Sequence, residues 1–221
     1  YFLTGFGYPF RLISRSFNPA EDEHTLTLHG NMYFDEDNVT PTLKNCKNSG
    51  ALSTGKVTLT HTGNNGRIYM SGLIGTLSAG ALVNCYNEAT GTITATNSTL
   101  AKEYMIGGLV GYISYQAGIA DQVISFTDCE NKAAISLAPT KIGGAYIGGI
   151  TGQAWAEKKD QTIKFIRTKN SGAISLTGAT WGGNPQVAGI FGQPNNYSAI
   201  ELDGCENSGD ITFNATASGK P

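Results

Sequence analysis

The sequence has no apolar run approaching the roughly 18 residues that a membrane-crossing helix needs, so nothing in it reads as a transmembrane segment. Charge is sparse: Asp, Glu, Lys and Arg make up 14% of 221 residues, and 15 basic side chains nearly balance 17 acidic ones. That balance leaves no electrostatic footprint for nucleic acid or an anionic membrane. Cysteine is scarce, with four residues, which excludes a dense disulfide framework. Histidine is scarcer, with only His24, His29 and His61, and no nucleophile shows the partner pattern of a catalytic triad. Helical periodicity is missing, because Gly and Asn interrupt every candidate window. A leader is missing too: the chain opens at Tyr1 without methionine or a charged-then-apolar stretch, and the expectation is a mature or trimmed piece of an exported protein.

What the sequence does have is glycine, 29 residues, about twice average usage, in a background rich in Ser, Thr and Asn. The glycines are placed periodically. "YMSGLIGTL" from Tyr69, "YMIGGLVGYI" from Tyr104, "YIGGITGQA" from Tyr146 and "QVAGIFGQP" from Gln186 align on Gly75, Gly111, Gly152 and Gly192, at intervals of 36, 41 and 40 residues. Three residues earlier stand Gly72, Gly108, Gly149 and Gly189, with Leu73, Leu109, Ile150 and Ile190 between. Glycine inside a strand costs roughly 0.5–1 kcal/mol against alanine. Its recurrence marks either a bend with unusual φ or a wall too close for a Cβ, and the sequence leaves both open.

A second element keeps the same period. Cys46/Asn48, Cys85/Asn87, Cys129/Asn131, Thr168/Asn170 and Cys205/Asn207 share a Cys-x-Asn core in which one cysteine is replaced by threonine and no asparagine is replaced. Three residues before each Cys or Thr stands Leu43, Leu82, Phe126, Phe165 or Leu202. Positions three apart cannot share one face of a flat strand, so a bend or bulge is expected between them. The third element alternates apolar and polar. Its inward pairs read Val57/Leu59, Ile93/Ala95, Ile135/Leu137, Ile174/Leu176 and Ile211/Phe213, with insertions before it in the first two copies.

A unit of three short strands cannot bury its own apolar face, but stacked copies can. The expected fold is all-β: a parallel β-solenoid, or β-helix-like stack, of about 40 residues and three strands per repeat. The repeats read as 41–79, 80–123, 124–162, 163–199 and a partial 200–221, with 1–40 as a divergent first coil or N-terminal cap. Equivalent residues should then meet in ladders about 4.8 Å apart. Asn48, Asn87, Asn131, Asn170 and Asn207 are expected at left-handed corners with their amides bonded along the stack. The cysteines, too far apart in sequence for a zinc cluster, are expected to be free, small, buried apolar groups. Lys47, Tyr86, Glu130, Lys169 and Glu206 form an outward column, and Asp128 is expected beside Arg167.

The "GGLVG" strands paired with "NCxNxG" turns resemble the GLUG-type repeats of bacterial surface proteins. "GLIG" at 72–75 and "GLVG" at 108–111 match closely, "GITG" at 149–152 and "GIFG" at 189–192 more loosely, and the resemblance covers about residues 41–213. It implies export to a bacterial cell surface, an adhesin-type scaffold and further domains in the same chain, and it transfers no catalytic residue.

Other motifs carry less. "GALSTGKV" (Gly50 to Val57) has phosphate-loop spacing, but Val57 replaces the required Ser or Thr and a strand pattern follows. Asp35 and Asp37 alternate like calcium ligands, yet the glycine and distal Glu of that loop are missing, and a solvated acidic loop is the reading. A glycan-active enzyme would need two free carboxylates in one column; Glu130 and Glu206 share one, with Lys169 between. Binding has better candidates. Tyr115, Trp155, Trp181 and Tyr197 are read as loop aromatics on a rigid frame, suited to a host protein or glycan. The expectation is a non-catalytic surface scaffold without cofactor or metal. The alternatives are a polysaccharide-active enzyme on the same frame, or a pure spacer.

Overall fold

Each repeat folds into five short strand segments, and each segment hydrogen-bonds in parallel to its equivalents in the coils before and after. The computed structural model describes residues 11–18, 23–29, 42–56, 67–96, 103–114, 123–138, 141–142, 144–155, 162–181, 185–195 and 199–217. The chain divides into two units, Tyr1–Val39 and Thr40–Pro221. In the first, Arg11–Asn18 and Glu23–His29 pair antiparallel, and the second of these holds the alternating "HTLTLH". The glycine-containing stretch at 3–10 and the acidic pair Asp35 and Asp37 lie outside the described residues.

In the second unit, the strands read from sequence as three per repeat resolve further. The segment leading to the cysteine (Gly80–Val83, Val123–Thr127, Thr162–Ile166) is separated by a bend from a two-residue segment ending at asparagine (Tyr86–Asn87, Glu130–Asn131, Lys169–Asn170). The alternating strand follows (Ile93–Thr96, Ile135–Ala138, Ile174–Trp181). The glycine stretch then breaks into two halves, Glu103–Gly107 and Val110–Ile113 in one coil, Gly144–Gly148 and Thr151–Trp155 in the next. Register is strict: Ile93 lies opposite Ile135, which lies opposite Ile174, then Ile211.

The first copy departs from the sequence reading. Ile93 pairs with Leu52, so its alternating strand begins at Leu52, five residues before Val57. The segment from asparagine to strand is therefore four residues in the first copy, and only the second copy, Asn87 to Ile93, carries an insertion there. Val57 and Leu59 lie outside the described residues.

The corner also sits elsewhere than expected. Positive φ occurs at Asn45 (58°), Asn84 (54°), Asp128 (53°), Arg167 (48°) and Gly204 (61°), each the residue before Cys or Thr. That is the bend the Φ-x-x-Cys spacing requires. The recurring asparagines three positions later are not left-handed. Their constancy comes from hydrogen bonding.

Each asparagine Nδ2 donates to the Oδ1 of the next coil: Asn48 to Asn87 at 2.8 Å, Asn87 to Asn131 at 2.9 Å, Asn131 to Asn170 at 2.7 Å and Asn170 to Asn207 at 2.7 Å. The same nitrogen closes the local turn on a carbonyl, that of Ala133 at 3.0 Å for Asn131 and of Gly172 at 2.9 Å for Asn170. At Asn87 that carbonyl belongs to Gly91, four residues on instead of two, which absorbs the insertion. Both amide protons are thus used in a fully buried row (Asn87, Asn131 and Asn170), where an unmade bond would cost about 1–3 kcal/mol.

This row divides the core into two lobes. One holds the alternating strands against the first half of the glycine stretch, with Ile93, Tyr104, Ile135, Ile147 and Leu176. The other holds the cysteine strands against the second half, with Leu82, Leu109, Phe126, Ile150 and Phe165. At the waist a Cβ on Gly149 would lie 2.3 Å from Asn170 Cγ and 2.1 Å from Gly189 O. One on Gly152 would lie 2.5 Å from Ile106 N. None of these glycines has positive φ, so close approach of the walls, not unusual backbone conformation, explains them.

The cysteines are free, and Cys85 and Cys129 are buried. They are more than small apolar fillers. Cys85 Sγ donates to Leu43 O at 3.4 Å, Cys129 Sγ to Leu82 O at 3.4 Å and Cys205 Sγ to Phe165 O at 3.2 Å. Thr168 Oγ1 makes the equivalent bond to Phe126 O at 3.1 Å. Threonine replaces cysteine once because the position wants a small buried donor, and a hydroxyl serves as well as a thiol.

Candidate functional site

Two of the four aromatics read as ligand contacts, Tyr115 and Tyr197, lie outside the described residues. The two tryptophans end strands instead of sitting within loops. Trp155 closes Thr151–Trp155 opposite Asn195, and Trp181 closes Ile174–Trp181 opposite Ile142 and Ala217. The repeat that stacks the core continues far enough to hold their backbones in register. Trp155 is 40% exposed.

The outward column after the cysteines is held by mutual contacts. Lys47 and Lys132 lie over the Tyr86 ring, at 5.9 and 5.1 Å from its centroid. Lys169 Nζ lies 3.4 Å from Glu206 Oε2, and Glu130 Oε1 accepts a bond from Ser171 Oγ at 2.9 Å. Asp128 takes a two-pronged bond from Arg167 at 2.7 and 2.8 Å. That guanidinium holds the Asp128 carboxyl below the usual carboxylate range. Exposed pairs of this kind are worth little to stability.

A denser cluster stands where the glycine stretch turns. Arg67–Ser71, Glu103–Gly107 and Gly144–Gly148 pair in parallel, setting Arg67 opposite Glu103 and placing Tyr69, Met105 and Tyr146 in one row. Alternation dictates this: Met70, Ile106 and Ile147 enter the core, so their neighbours at Tyr69, Met105 and Tyr146 are turned the other way. Arg67 Nε donates to Glu103 Oε2 at 2.8 Å. The Tyr69 ring stacks on Tyr112, from the second half of the next coil's glycine stretch, with centroids 5.1 Å apart and planes 28° from parallel. A Cβ on Gly144 would lie at ordinary contact distance from Glu103 Cγ (3.6 Å) and Tyr146 Oη (3.7 Å), so both side chains lie close over that position.

These five groups share one electrostatic environment. Burial raises the Tyr112 hydroxyl above its ordinary pKa, with Tyr69 and Glu103 adding and Arg67 opposing. Burial raises Tyr146 as well, with Glu103 adding. At Arg67 burial pulls downward, but Glu103 and Tyr69 outweigh it and the guanidinium is held more firmly charged. The arrangement sets aromatic rings beside a charge-neutral, hydrogen-bonded Arg67–Glu103 pair.

The sequence reading looked for aromatics in variable loops and passed over this cluster. The signal was there: with the glycines aligned, Tyr69 and Tyr146 fall in one column and Arg67 and Glu103 in another. Among the described residues no group of His, Cys, Asp or Glu could hold a metal ion, and no helix is long and apolar enough to cross a membrane. Comparison with protein-family models, with curated proteins and with solved structures gives no match.

Proposed function

We propose that this chain is a non-catalytic, extracellular scaffold segment of a bacterial cell-surface protein, displaying binding surface to host proteins or glycans. The observation that carries the reading is a division of labour within the repeat. The residues that recur in every coil (asparagine, paired glycines, the Cys/Thr donor) bond and pack to other coils. Much of what differs from coil to coil reaches the surface, including Tyr69, Tyr112, Trp155 and the charged pairs. A rigid frame with a variable exterior suits display. The GLUG-type resemblance of residues 41–213 supports surface export and adhesion. Glu130 and Glu206, the carboxylate column weighed for an enzyme and read as neutralised by Lys169, are engaged by Ser171 and Lys169 respectively.

The test is to screen the purified chain on an array of host-matrix proteins and glycans. Display predicts reproducible, saturable binding to at least one ligand. Silence across the array would move the chain to the spacer reading, and turnover of an arrayed polysaccharide would return it to the enzymes.

A further inference from the structure

We infer that the cluster at the glycine corner, Arg67, Tyr69, Glu103, Tyr112 and Tyr146, is a binding site for a neutral oligosaccharide lying along the stacking axis. The inference rests on the display reading and names the ligand class and the place.

Three features select the chemistry. First, the rings are organised before any ligand arrives. Tyr69 is 37% exposed yet stacked on Tyr112 at 5.1 Å, so an incoming face meets a platform already ordered by its own packing. Preorganisation lowers the entropic cost of binding. A sugar ring has an apolar face of C–H groups that can lie on such a platform and a rim of hydroxyls that need partners. Second, those partners stand beside the rings: Arg67 and Glu103 are bonded at 2.8 Å, with side chains 45% and 20% exposed. A guanidinium donates and a carboxylate accepts, so together they serve adjacent hydroxyls, each both donor and acceptor. Their charges cancel, which disfavours a strongly anionic or cationic ligand. Third, the row offers no aliphatic anchor. Met105, between Tyr69 and Tyr146, is 1% exposed, so the surface lacks the buried apolar centre expected where a protein partner docks.

Tyr69, Tyr112 and Tyr146 belong to three successive coils. They therefore span about 10 Å along the axis, two coil spacings. A linear glycan running that way meets one tyrosine per coil, and affinity rises with chain length until the chain outruns the three coils.

The experiment uses the whole chain with neutral gluco- and manno-oligosaccharides of increasing length, read by calorimetry and tyrosine fluorescence. Tyr69→Ala and Tyr112→Ala are each expected to weaken binding roughly 2- to 12-fold, the range set by one aromatic contact. The double variant should weaken it more than either. Tyr69→Phe, which keeps the ring, should bind within about 2-fold of the parent if the ring face carries the contact. Circular dichroism and the thermal midpoint establish that each variant folds, and Tyr69→Phe keeps the test open should an alanine variant misfold. Two results overturn the site: no binding of any neutral oligosaccharide, or binding that survives loss of both rings. If array ligands still bind the double variant, the site falls and the display reading stands. If the array itself is silent, the display reading falls first.

Discussion

Phe165 and Leu202 occupy the same column one coil apart, and so do Leu176 and Phe213. Phe165 and Leu176 are fully buried, whereas Leu202 is 56% exposed and Phe213 52%. All four are apolar, and among the described residues Phe165 and Leu176 have a coil on each side whereas Leu202 and Phe213 have one on a single side. Phe165 stacks on Phe126 with centroids 4.9 Å apart and planes 11° from parallel, and Phe191 closes on it at 5.6 Å. Burial in this molecule is a property of position in the stack, which makes stability a sum of neighbour terms. The same contrast holds for glycine. A Cβ on Gly152 would meet the backbone of Ile106 and Gly111 at 2.5–2.8 Å, whereas one on Gly75, two coils earlier in the same column, meets nothing nearer than 3.9 Å.

The glycine contrast gives the largest expected effect. Gly152→Ala should cost more than about 4 kcal/mol or prevent cooperative folding, because the obstructing atoms are backbone and cannot rotate away. Gly75→Ala should fall within about 1 kcal/mol of the parent. Urea midpoints of the two variants decide it. Equal damage at both positions would mean that a conformational demand on glycine, and not the approach of walls, governs the column. Next come the apolar pair: Phe165→Ala should cost about 3–5 kcal/mol and Leu202→Ala under about 1 kcal/mol, measured the same way. Comparable losses would contradict the neighbour-sum picture.

The period, the parallel stacking, the ladder of asparagines and the identity of most core residues are legible in the sequence because each repeats, and repetition shows where side chains meet. The reason for a recurrence is harder to read. Asparagine tolerates a left-handed corner and also bonds along a stack, so Asn131 alone cannot say which use holds; the φ of 53° at Asp128 shows the corner to be elsewhere. The first alternating strand was misplaced because "TGKVTLT" alternates well, whereas its register is fixed by Leu52 meeting Ile93. The aromatic cluster was missed for a related reason. Tyr69 and Tyr112 lie 43 residues apart, on opposite sides of the bend that divides each coil's glycine stretch, at Gly72 in one coil and Gly108 in the next. No local pattern reports a contact created by a bend.

The middle and the last member of the cysteine column sharpen the same comparison through pH. Burial pushes the Cys129 thiol up to about 12. Below the ordinary thiol pKa both folded and unfolded chains keep the proton, and the group adds nothing. Above it the unfolded chain releases the proton while the fold retains it. Stability therefore falls as pH rises from the ordinary thiol value of 9.0 toward about 12. Cys205 is only partly buried. Alkylation at pH 9 followed by mass spectrometry should label Cys205 well before Cys129. Equal rates would show that the interior coils open as readily as the last.

The smallest effect has the opposite sign. Thr151 stands in a column with Ile74, Val110 and Phe191, and it is fully buried. Its hydroxyl has no hydrogen-bond partner among the described residues. Thr168, the other buried threonine among the described residues, donates to Phe126 O and so has a reason to be polar. Thr151 has none that the packing shows, and an unpaired buried hydroxyl costs roughly 1–3 kcal/mol. Thr151→Val keeps the branched shape and matches the Val110 neighbour. It should raise stability by about 1 kcal/mol, read as a higher thermal midpoint. Thr168→Val should lower stability by a similar amount, since there the exchange removes a made bond and leaves a carbonyl short of a donor. A Thr151→Val protein less stable than the parent would show that the hydroxyl is bonded after all, and the contrast between the two threonines would then dissolve.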